Sequence, residues 1–213
     1  MTKPTRQKKI WTSRFGDAYT DRNRCAPREL DALYRRLYGV TKTAMNKEFL
    51  GQFPIRNVLE VGCGSADQLE HLQRAGYRNL YGCEISEYAI RKANELTKNI
   101  NVVRGDIFDL PFKDNYFDLA FTAGVLIHVS PADMKDALRE MYRVSRKYIL
   151  GFEFWSDRHT PITYRGHTNF LWKANFARMY LDIFPRRLKL LKERHYTYRD
   201  NSNIDTMFLL KKV

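Results

Sequence analysis

The chain has 213 residues, of which 44% are hydrophobic and 14% aromatic, a composition that excludes a disordered protein and fits one globular domain. Its formal net charge is +13, from 37 Lys and Arg against 24 Asp and Glu, which favours either an anionic partner or a solvated surface. An odd number of cysteines, Cys25, Cys63 and Cys83, excludes a closed disulfide framework. The sequence has no C-x-x-C pair, which argues against a zinc site. Because no apolar signal segment or membrane-length apolar run is found, we expect a cytoplasmic protein without membrane insertion.

The first fifty residues differ from the rest. Residues 1–10 are polar and basic and predict a loose tail, whereas residues 29–50 carry apolar side chains largely at helical spacing. We found no linker, so the sequence predicts a single domain over residues 1–213. Within it, residues 1–50 would be a lid or helical segment and residues 51–213 the core.

From residue 57 onward, short apolar runs alternate with helical patterns. This alternation predicts βαβ units and a parallel sheet, and Ser86 is typical of a helix N-cap. Strands are predicted at residues 58–61, 80–83, 101–103, 117–122 and 147–154, with helices at 67–75, 86–96 and 131–144. Residues 169–184 predict a further helix, and two strand-like runs, 189–198 and 205–210, predict an antiparallel hairpin at the end of the sheet.

Acidic residues and glycines stand where the first strand would end. Gly62 and Gly64 allow a tight turn and close approach of a ligand to the main chain. Ligands of such sheets bind outside the carboxyl ends of the strands. Glu60, just before the turn, is placed to contact a cationic amino group.

Two further acids follow the next strands. Glu84 ends the second strand, and a carboxylate can accept hydrogen bonds from both hydroxyls of a ribose. Asp106 follows the third strand with apolar Ile107, a pair suited to the amine and ring face of adenine. The set predicts a ligand with an amine, a ribose and an adenine but no phosphate.

A nicotinamide-dependent dehydrogenase is the nearest alternative, because Gly62-x-Gly64 followed by an acid also matches the dinucleotide fingerprint. The third glycine of that fingerprint is replaced by Asp67. Glu60 would also bring negative charge close to a pyrophosphate. Both departures favour a ligand without phosphates.

The segments VLEVGCGSAD, YGCEIS, GDIFDLPF and FDLAFTAGVLIHVSP resemble the class I S-adenosylmethionine-dependent methyltransferases. WTSRFGDAYTDRN and YRGH add a narrower similarity to methylases associated with pseudaminic acid biosynthesis. The resemblance implies an α/β, Rossmann-like seven-stranded sheet with an antiparallel last strand and S-adenosyl-L-methionine as cofactor. It also implies a set of cofactor-binding residues: Tyr19, Glu60, Gly62, Cys63, Gly64, Asp67, Glu84, Ile85, Asp106, Ile107 and Ala123.

Two histidines are candidates for the base that would deprotonate a hydroxyl acceptor. His128 follows the fourth strand and His167 lies in a later polar loop. His128 could equally make a structural hydrogen bond.

Three other residues are candidates for contacting the acceptor. Tyr164 and Arg165 could bind an anionic group, or they could simply form a surface loop. Trp11, with Phe15 and Tyr19, could close over the site or pack on the core.

Three functions are therefore compared. The first is methyl transfer to a small, anionic molecule, such as a sugar of the nonulosonic (pseudaminic) acid type or its nucleotide-activated form. The second is a nucleic-acid methyltransferase that uses the basic surface; a base-methylating motif is absent after the fourth strand, where Thr122-Ala123-Gly124-Val125 stands. The third is a catalytically inactive, cofactor-binding partner subunit. The sequence favours the first.

Overall fold

The computed structural model describes residues 4–213. Its helices are α1 (Arg6–Trp11), α2 (Arg14–Asn23), α3 (Pro27–Tyr38), α4 (Lys42–Leu50), α5 (Asp67–Arg74), α6 (Glu87–Leu96), α7 (Met134–Val144) and α8 (Phe176–Ile183), with a single-turn 3-10 helix at Leu126–His128. Its strands are β1 (Asn57–Val61), β2 (Asn79–Glu84), β3 (Ile100–Arg104), β4 (Phe117–Ala123), β5 (Ser145–Phe154), β6 (Thr160–Tyr164), β7 (His167–Lys173), β8 (Leu188–Thr197) and β9 (Ile204–Lys212).

Seven strands form one sheet in the order β3-β2-β1-β4-β5-β9-β8. β1 to β5 pair in parallel, whereas β9 runs antiparallel to both β5 and β8. The predicted Rossmann-like, seven-stranded class I methyltransferase sheet with an antiparallel last strand is confirmed. The strand order reverses between β1 and β4, and this reversal opens a crevice at their carboxyl ends.

Both faces of the sheet are buried, which explains why the first strand reads as a nearly continuous apolar run. Along β1, Val58 packs with α3, α4 and α5, while Leu59 and Val61 pack on the opposite face with α7 and α8. Each face thus has its own apolar core. The two layers of helices fix the strands whose ends form the crevice.

The amino-terminal region is more ordered than predicted. Residues 1–10 were expected to be a loose tail, but α1 begins at Arg6, with the Thr5 hydroxyl accepting a hydrogen bond from the Lys8 amide. The predicted helical segment over residues 29–50 is divided into α3 and α4. Gly39 ends α3 in the left-handed conformation, with φ of 81°, which stops the helix at low steric cost.

The helix predicted for residues 169–184 is wrong over its first half. β6 and β7 form a separate antiparallel pair, and α8 begins only after Asn175, whose side chain caps it. The turn between the strands has φ of 48° at Arg165 and 80° at Gly166, as in tight hairpins. The composition of the buried run from Phe170 to Trp172 is compatible with a helix or a strand. Its pairing with β6 makes it a strand.

Within residues 4–213, no helix combines the length and the apolar character that crossing a membrane requires.

Candidate functional site

A cavity of about 180 Å³ lies at the carboxyl ends of β1, β2 and β4, beneath α1 and α2. Ten of the residues singled out in the sequence line it: Trp11, Tyr19, Gly62, Gly64, Glu84, Ile85, Asp106, Ile107, Ala123 and His128. These residues come from five separate parts of the chain. The topology therefore brings most of the predicted site together at the crevice.

The loop after β1 approaches the cavity through its main chain. Gly62 has φ of 71°, and its amide donates to the Cys83 carbonyl at 2.7 Å. A Cβ at position 62 would lie 2.6 Å from a methyl group of Val125, so a larger residue would displace the neighbouring turn. Gly64, with φ of 53°, has open space where a Cβ would stand. The loop thus leaves room for a ligand against the backbone at Gly64.

Glu84 holds this loop while facing the cavity. Its Oε2 accepts a hydrogen bond from the Gly64 amide at 2.9 Å, and its Oε1 accepts from the amides of Ile85 at 2.8 Å and Ser86 at 2.9 Å. Burial raises the pKa of Glu84, while these three amides favour its ionised form. A carboxylate has about four acceptor positions. The side chain can therefore bind ligand hydroxyls as well as fix the loop.

Asp106 follows β3 and is contacted from the lid. Its Oδ1 accepts a hydrogen bond from the Phe108 amide at 3.0 Å, and its Oδ2 forms an ion pair with Lys8 of α1. Ile107 lines the cavity beside it. A carboxylate next to an apolar side chain matches an amine-bearing heterocycle, and α1 reaches the same carboxylate.

Aromatic rings from α1 and α2 also line the cavity. Trp11 contacts Tyr19 and His128 edge to face, with ring centroids 5.0 and 4.8 Å apart. Such pairs stabilise packed rings beyond the area they bury. Burial raises the pKa of Tyr19, so its phenol stays protonated at neutral pH. Aromatic rings therefore line this part of the cavity around His128.

His128 is held in one protonation state by its surroundings. Its Nδ1 lies 3.1 Å from the Phe170 carbonyl oxygen. Because a carbonyl only accepts, Nδ1 carries the proton and Nε2 is left as an acceptor. Burial lowers the pKa of His128 to about 4, so the ring is neutral at physiological pH.

Three residues predicted to bind cofactor do not line the cavity but support its walls. Asp67 accepts from the Arg24 guanidinium at 2.6 Å and from the Cys25 amide at 2.7 Å, which ties the segment before α3 to α5. The Cys63 thiol packs against Gly82, where a Cβ would lie 2.5 Å from its sulfur. Glu60 is buried, and within the described residues its Oε2 has no hydrogen-bond partner. Burial and the Asp67 carboxylate raise the pKa of Glu60 well above its ordinary value.

The residues predicted on the late polar loop also lie outside the cavity lining. The Tyr164 ring is 5.9 Å from the His128 ring, so the hairpin packs directly behind that histidine. The His167 ring contacts Phe15 at 5.5 Å rather than the cavity. Arg165 is exposed at the hairpin tip, 5.6 Å from the Tyr164 ring.

Two contributors escaped the sequence reasoning. Lys8 contacts a carboxylate 98 residues away, and no local pattern could have indicated this. Glu153 of β5 accepts hydrogen bonds from the amides of Val125 at 3.2 Å and Ile127 at 3.4 Å. An acid inside the otherwise apolar run 148–154 was an available signal, because buried carboxylates need partners.

The family model described as a methyltransferase domain matches residues 59–148. Among curated proteins, the chain is 32% identical over 101 residues to a cycloartenol-C-24-methyltransferase of Arabidopsis thaliana, covering 45% of this chain and 30% of that protein. It is 36% identical over 97 residues to a demethylmenaquinone methyltransferase of Listeria welshimeri, covering 41% of this chain and 39% of that one. The chain therefore spans well under half the length of these two relatives.

Solved structures share the fold at low sequence identity. A protein of Pyrococcus horikoshii, PH0226, superposes with a TM-score of 0.69 at 18% identity, covering 96% of this chain and 99% of that one. The (4+2)-cyclase SpnF superposes with a TM-score of 0.70 at 14% identity, covering 100% of this chain and 97% of that one. A protein of Methanosarcina mazei described as a SAM-dependent methyltransferase gives 0.64 at 20% identity, covering 79% and 97%.

The matched residues 59–148 contain the glycine loop, Glu84, Asp106 and His128, which meet at one cavity. The sheet around them has the strand order and the antiparallel last strand of class I methyltransferases. Residues 59–148 therefore match a methyltransferase domain, and the sheet that contains them has the class I methyltransferase fold.

Proposed function

We propose that the chain is an active methyltransferase that transfers the methyl group of S-adenosylmethionine to a small-molecule acceptor. The observation that carries this proposal is the meeting of Glu84, Asp106 and the open main chain at Gly64 in one cavity. The same cavity is lined by His128, whose Nε2 is an acceptor. The residues proposed to recognise the cofactor and a group able to receive a proton thus line the same cavity.

The residues fit the cofactor by chemistry. Gly62 and Gly64 would lie along the methionine portion, Glu84 would accept from the ribose hydroxyls, and Asp106 would accept from the adenine amine. Ile85, Ile107, Ala123 and Tyr19 would border the bound molecule. Glu60, Cys63 and Asp67 would act from behind the loop, by holding it, rather than by lining the cavity.

Bound S-adenosylmethionine supplies a methyl group already activated on a sulfonium, so the protein mainly orients the reactants and excludes water. Trp11 and Tyr19 would exclude water at this end of the cavity. His128 Nε2 would accept a hydrogen bond from an acceptor hydroxyl and take up its proton as the new C–O–C linkage forms. Because the pKa of His128 is about 4, this nitrogen is unprotonated over the whole neutral range.

We propose a small, hydroxyl-bearing acceptor that meets Trp11 and His128 in the cavity. Tyr164 and Arg165 lie outside the cavity lining, so we propose that they contact an anionic group only where it extends beyond the cavity toward the hairpin tip. A sugar of the nonulosonic acid type satisfies this chemistry and remains the specific candidate. The relatives reported above are named for a sterol and a menaquinone precursor, so lipid-like alcohols and quinols belong in the same acceptor screen. His167 is the weaker candidate for the base, since it lies outside the cavity lining.

The basic carboxyl-terminal cluster gives little support to a nucleic-acid acceptor. It comprises Arg186, Arg187, Lys189, Lys192 and Arg194. Lys189 pairs with Lys211, which in turn pairs with Tyr148 near the start of β5. These residues lie at the end of the sheet away from the cavity. A nucleic acid bound there would be remote from the methyl donor.

Calorimetric titration with S-adenosylmethionine, and in parallel with NAD, tests the cofactor assignment. We expect wild type to bind only the former, and Glu84→Gln to bind it about ten- to a hundredfold more weakly. Glu87→Gln is the matched control, because Glu87 is an exposed acid three residues further on that pairs with Arg104. Binding of NAD alone, or of neither ligand, would refute the proposal. Binding without methyl transfer to any acceptor in the screen would favour the inactive partner subunit.

A further inference from the structure

The turn that follows β4 forms one wall of the cavity. Gly124, Val125 and His128 line the cavity directly. The amides of Val125 and Ile127 point away from it, toward the buried side chain of Glu153 on β5. Glu153 is only 1% exposed, so its oxygens are the acceptors that satisfy these amides in the absence of solvent.

The same turn is interlocked with the glycine loop. Val125 lies so close to Gly62 that a Cβ on the glycine would be 2.6 Å from a valine methyl group. The Gly124 amide donates to the Phe152 carbonyl at 2.9 Å, which fixes the start of the turn to β5. A shift of the turn would therefore move His128 and disturb the packing on Gly62 together.

We propose that Glu153 is a positioning residue, whose ionised carboxylate holds residues 124–128 so that His128 and the glycine loop keep their relative placement. This inference rests on the proposed function for its purpose, because it assigns Glu153 to the same site. Glu153 itself does not line the cavity. It acts through the main chain of the turn, and sequence reasoning did not single it out.

The charge of Glu153 changes near neutral pH. Burial raises the pKa of Glu153 to about 7. Hydrogen bonds from the Thr122 hydroxyl and from the amides of the turn oppose this rise, because they favour the ionised form. Tyr180 of α8 also faces it, and burial keeps this phenol protonated by raising its pKa. Protonation would turn one carboxylate oxygen into a hydroxyl and remove the negative charge, so the hydrogen bonds from the two amides would weaken. The turn would therefore be held firmly above neutral pH and less firmly below it.

Amide hydrogen exchange of Val125 and Ile127, corrected for the intrinsic rates, tests this directly. For wild type we expect protection to fall roughly tenfold between about pH 8 and pH 6. For Glu153→Gln we expect weak protection that does not change with pH. Asp118→Asn is the control. It alters a buried carboxylate at the other end of β4, so it lowers overall stability but should leave the fall in protection between about pH 8 and pH 6 intact. Wild-type protection and pH dependence in Glu153→Gln would overturn the proposal.

Two further readouts keep the result interpretable. If Glu153→Gln fails to fold, the wild-type pH series decides alone, and flat protection across neutral pH overturns the proposal. Titration with S-adenosylmethionine should show about tenfold weaker binding to Glu153→Gln than to Asp118→Asn; equal affinities would count against the interlock with the glycine loop. If wild type does not bind this cofactor at all, the proposed function fails, whereas exchange at Val125 and Ile127 still reports on Glu153.

Discussion

At the scale of single residues, the site depends on side chains whose hydrogen bonds fix what they can accept. His128 is the clearest case, because the Phe170 carbonyl selects its tautomer and burial keeps it neutral. Glu84 and Asp106 each accept hydrogen bonds from backbone amides and keep further acceptor positions for a ligand. These residues are therefore pre-organised by the protein before a ligand arrives.

We expect the His128 ring to remain neutral, with the proton on Nδ1, from about pH 5.5 to pH 9, because its pKa is about 4. Long-range nitrogen–proton correlation spectra of the histidine side chains measure this, and His128→Asn identifies the resonance by its loss. A ring that gains charge near pH 6.5, or that carries its proton on Nε2, would contradict the assigned geometry.

Asp106→Asn should weaken S-adenosylmethionine binding about tenfold, because an amide nitrogen cannot accept from the adenine amine. Calorimetric titration gives the dissociation constants. Asp109→Asn is the matched control, since Asp109 is an exposed acid in the same loop. Equal losses in both variants would point to a general effect of charge rather than to adenine recognition.

At the scale of secondary-structure elements, α1 has a double role. It covers the cavity with Trp11, and it pairs Lys8 with the carboxylate proposed to take the adenine amine. A ligand arriving at Asp106 therefore competes with, or must join, an existing ion pair. One helix thus contacts two residues of the site, Asp106 through Lys8 and His128 through Trp11.

Lys8→Met should bind S-adenosylmethionine faster, by about threefold or more, because its side chain keeps the apolar stem but removes the pairing ammonium. Stopped-flow fluorescence of Trp11 in the same helix follows the association. Lys9→Met is the comparison, as Lys9 is exposed on α1. An unchanged or slower association in Lys8→Met would show that Lys8 does not obstruct binding.

Secondary-structure prediction was most accurate where one periodicity dominated. Alternating strands and helices between residues 57 and 154 were placed within a few residues, since buried parallel strands read as compact apolar runs. The β6–β7 hairpin was missed because its apolar residues are consecutive rather than alternating. α1 was missed because its charged side chains find partners only in distant parts of the chain, as Lys8 does with Asp106.

At the scale of the whole molecule, a buried carboxylate joins the strands at the end of the sheet away from the cavity. Asp118 accepts hydrogen bonds from the Arg56 amide at 2.9 Å and from the Arg146 guanidinium. These contacts join the starts of β1, β4 and β5. The parallel strands are thus joined at their amino-terminal ends, while their carboxyl ends form the site.

The Arg146 side chain and the amides of Arg56 and Asn57 outweigh the effect of burial and lower the pKa of Asp118 to about 2, below its ordinary value of 3.8. Its contribution to stability is therefore complete above about pH 4 and is lost as the pH falls toward 2. Asp118→Asn should lower the free energy of unfolding by about 2 kcal/mol at neutral pH and flatten this acid limb. Thermal melts between about pH 2 and pH 7 measure both, with Asp114→Asn, an exposed acid nearby, as control. A wild-type acid profile in Asp118→Asn would contradict the assignment.

Much of the fold and the outline of the site could be predicted, because glycines and acids at strand ends are local signals. What escaped prediction lies in contacts between distant residues. Glu60 and Asp67 were expected at the cavity. Glu60 lies on the face of β1 opposite to Leu59 and Val61, since alternate residues of a strand point to opposite faces. Asp67 begins α5, and its carboxylate is bound by Arg24 and the Cys25 amide. The roles of Lys8 and Glu153 arise only once α1 and β5 are in place.

The β6–β7 hairpin leaves and rejoins the core at one point: the Ala174 amide donates to the Phe154 carbonyl at 3.3 Å. Residues 155–173 thus form an excursion from β5, and the Trp155 amide at its start donates to the Ile204 carbonyl of β9 at 2.8 Å. Its tip packs behind the proposed base, through Tyr164 and His128. The excursion contacts the site on the side of His128, whereas Glu84 and Asp106 follow β2 and β3. We therefore expect sequence changes in residues 155–173 to alter acceptor recognition before they alter cofactor recognition.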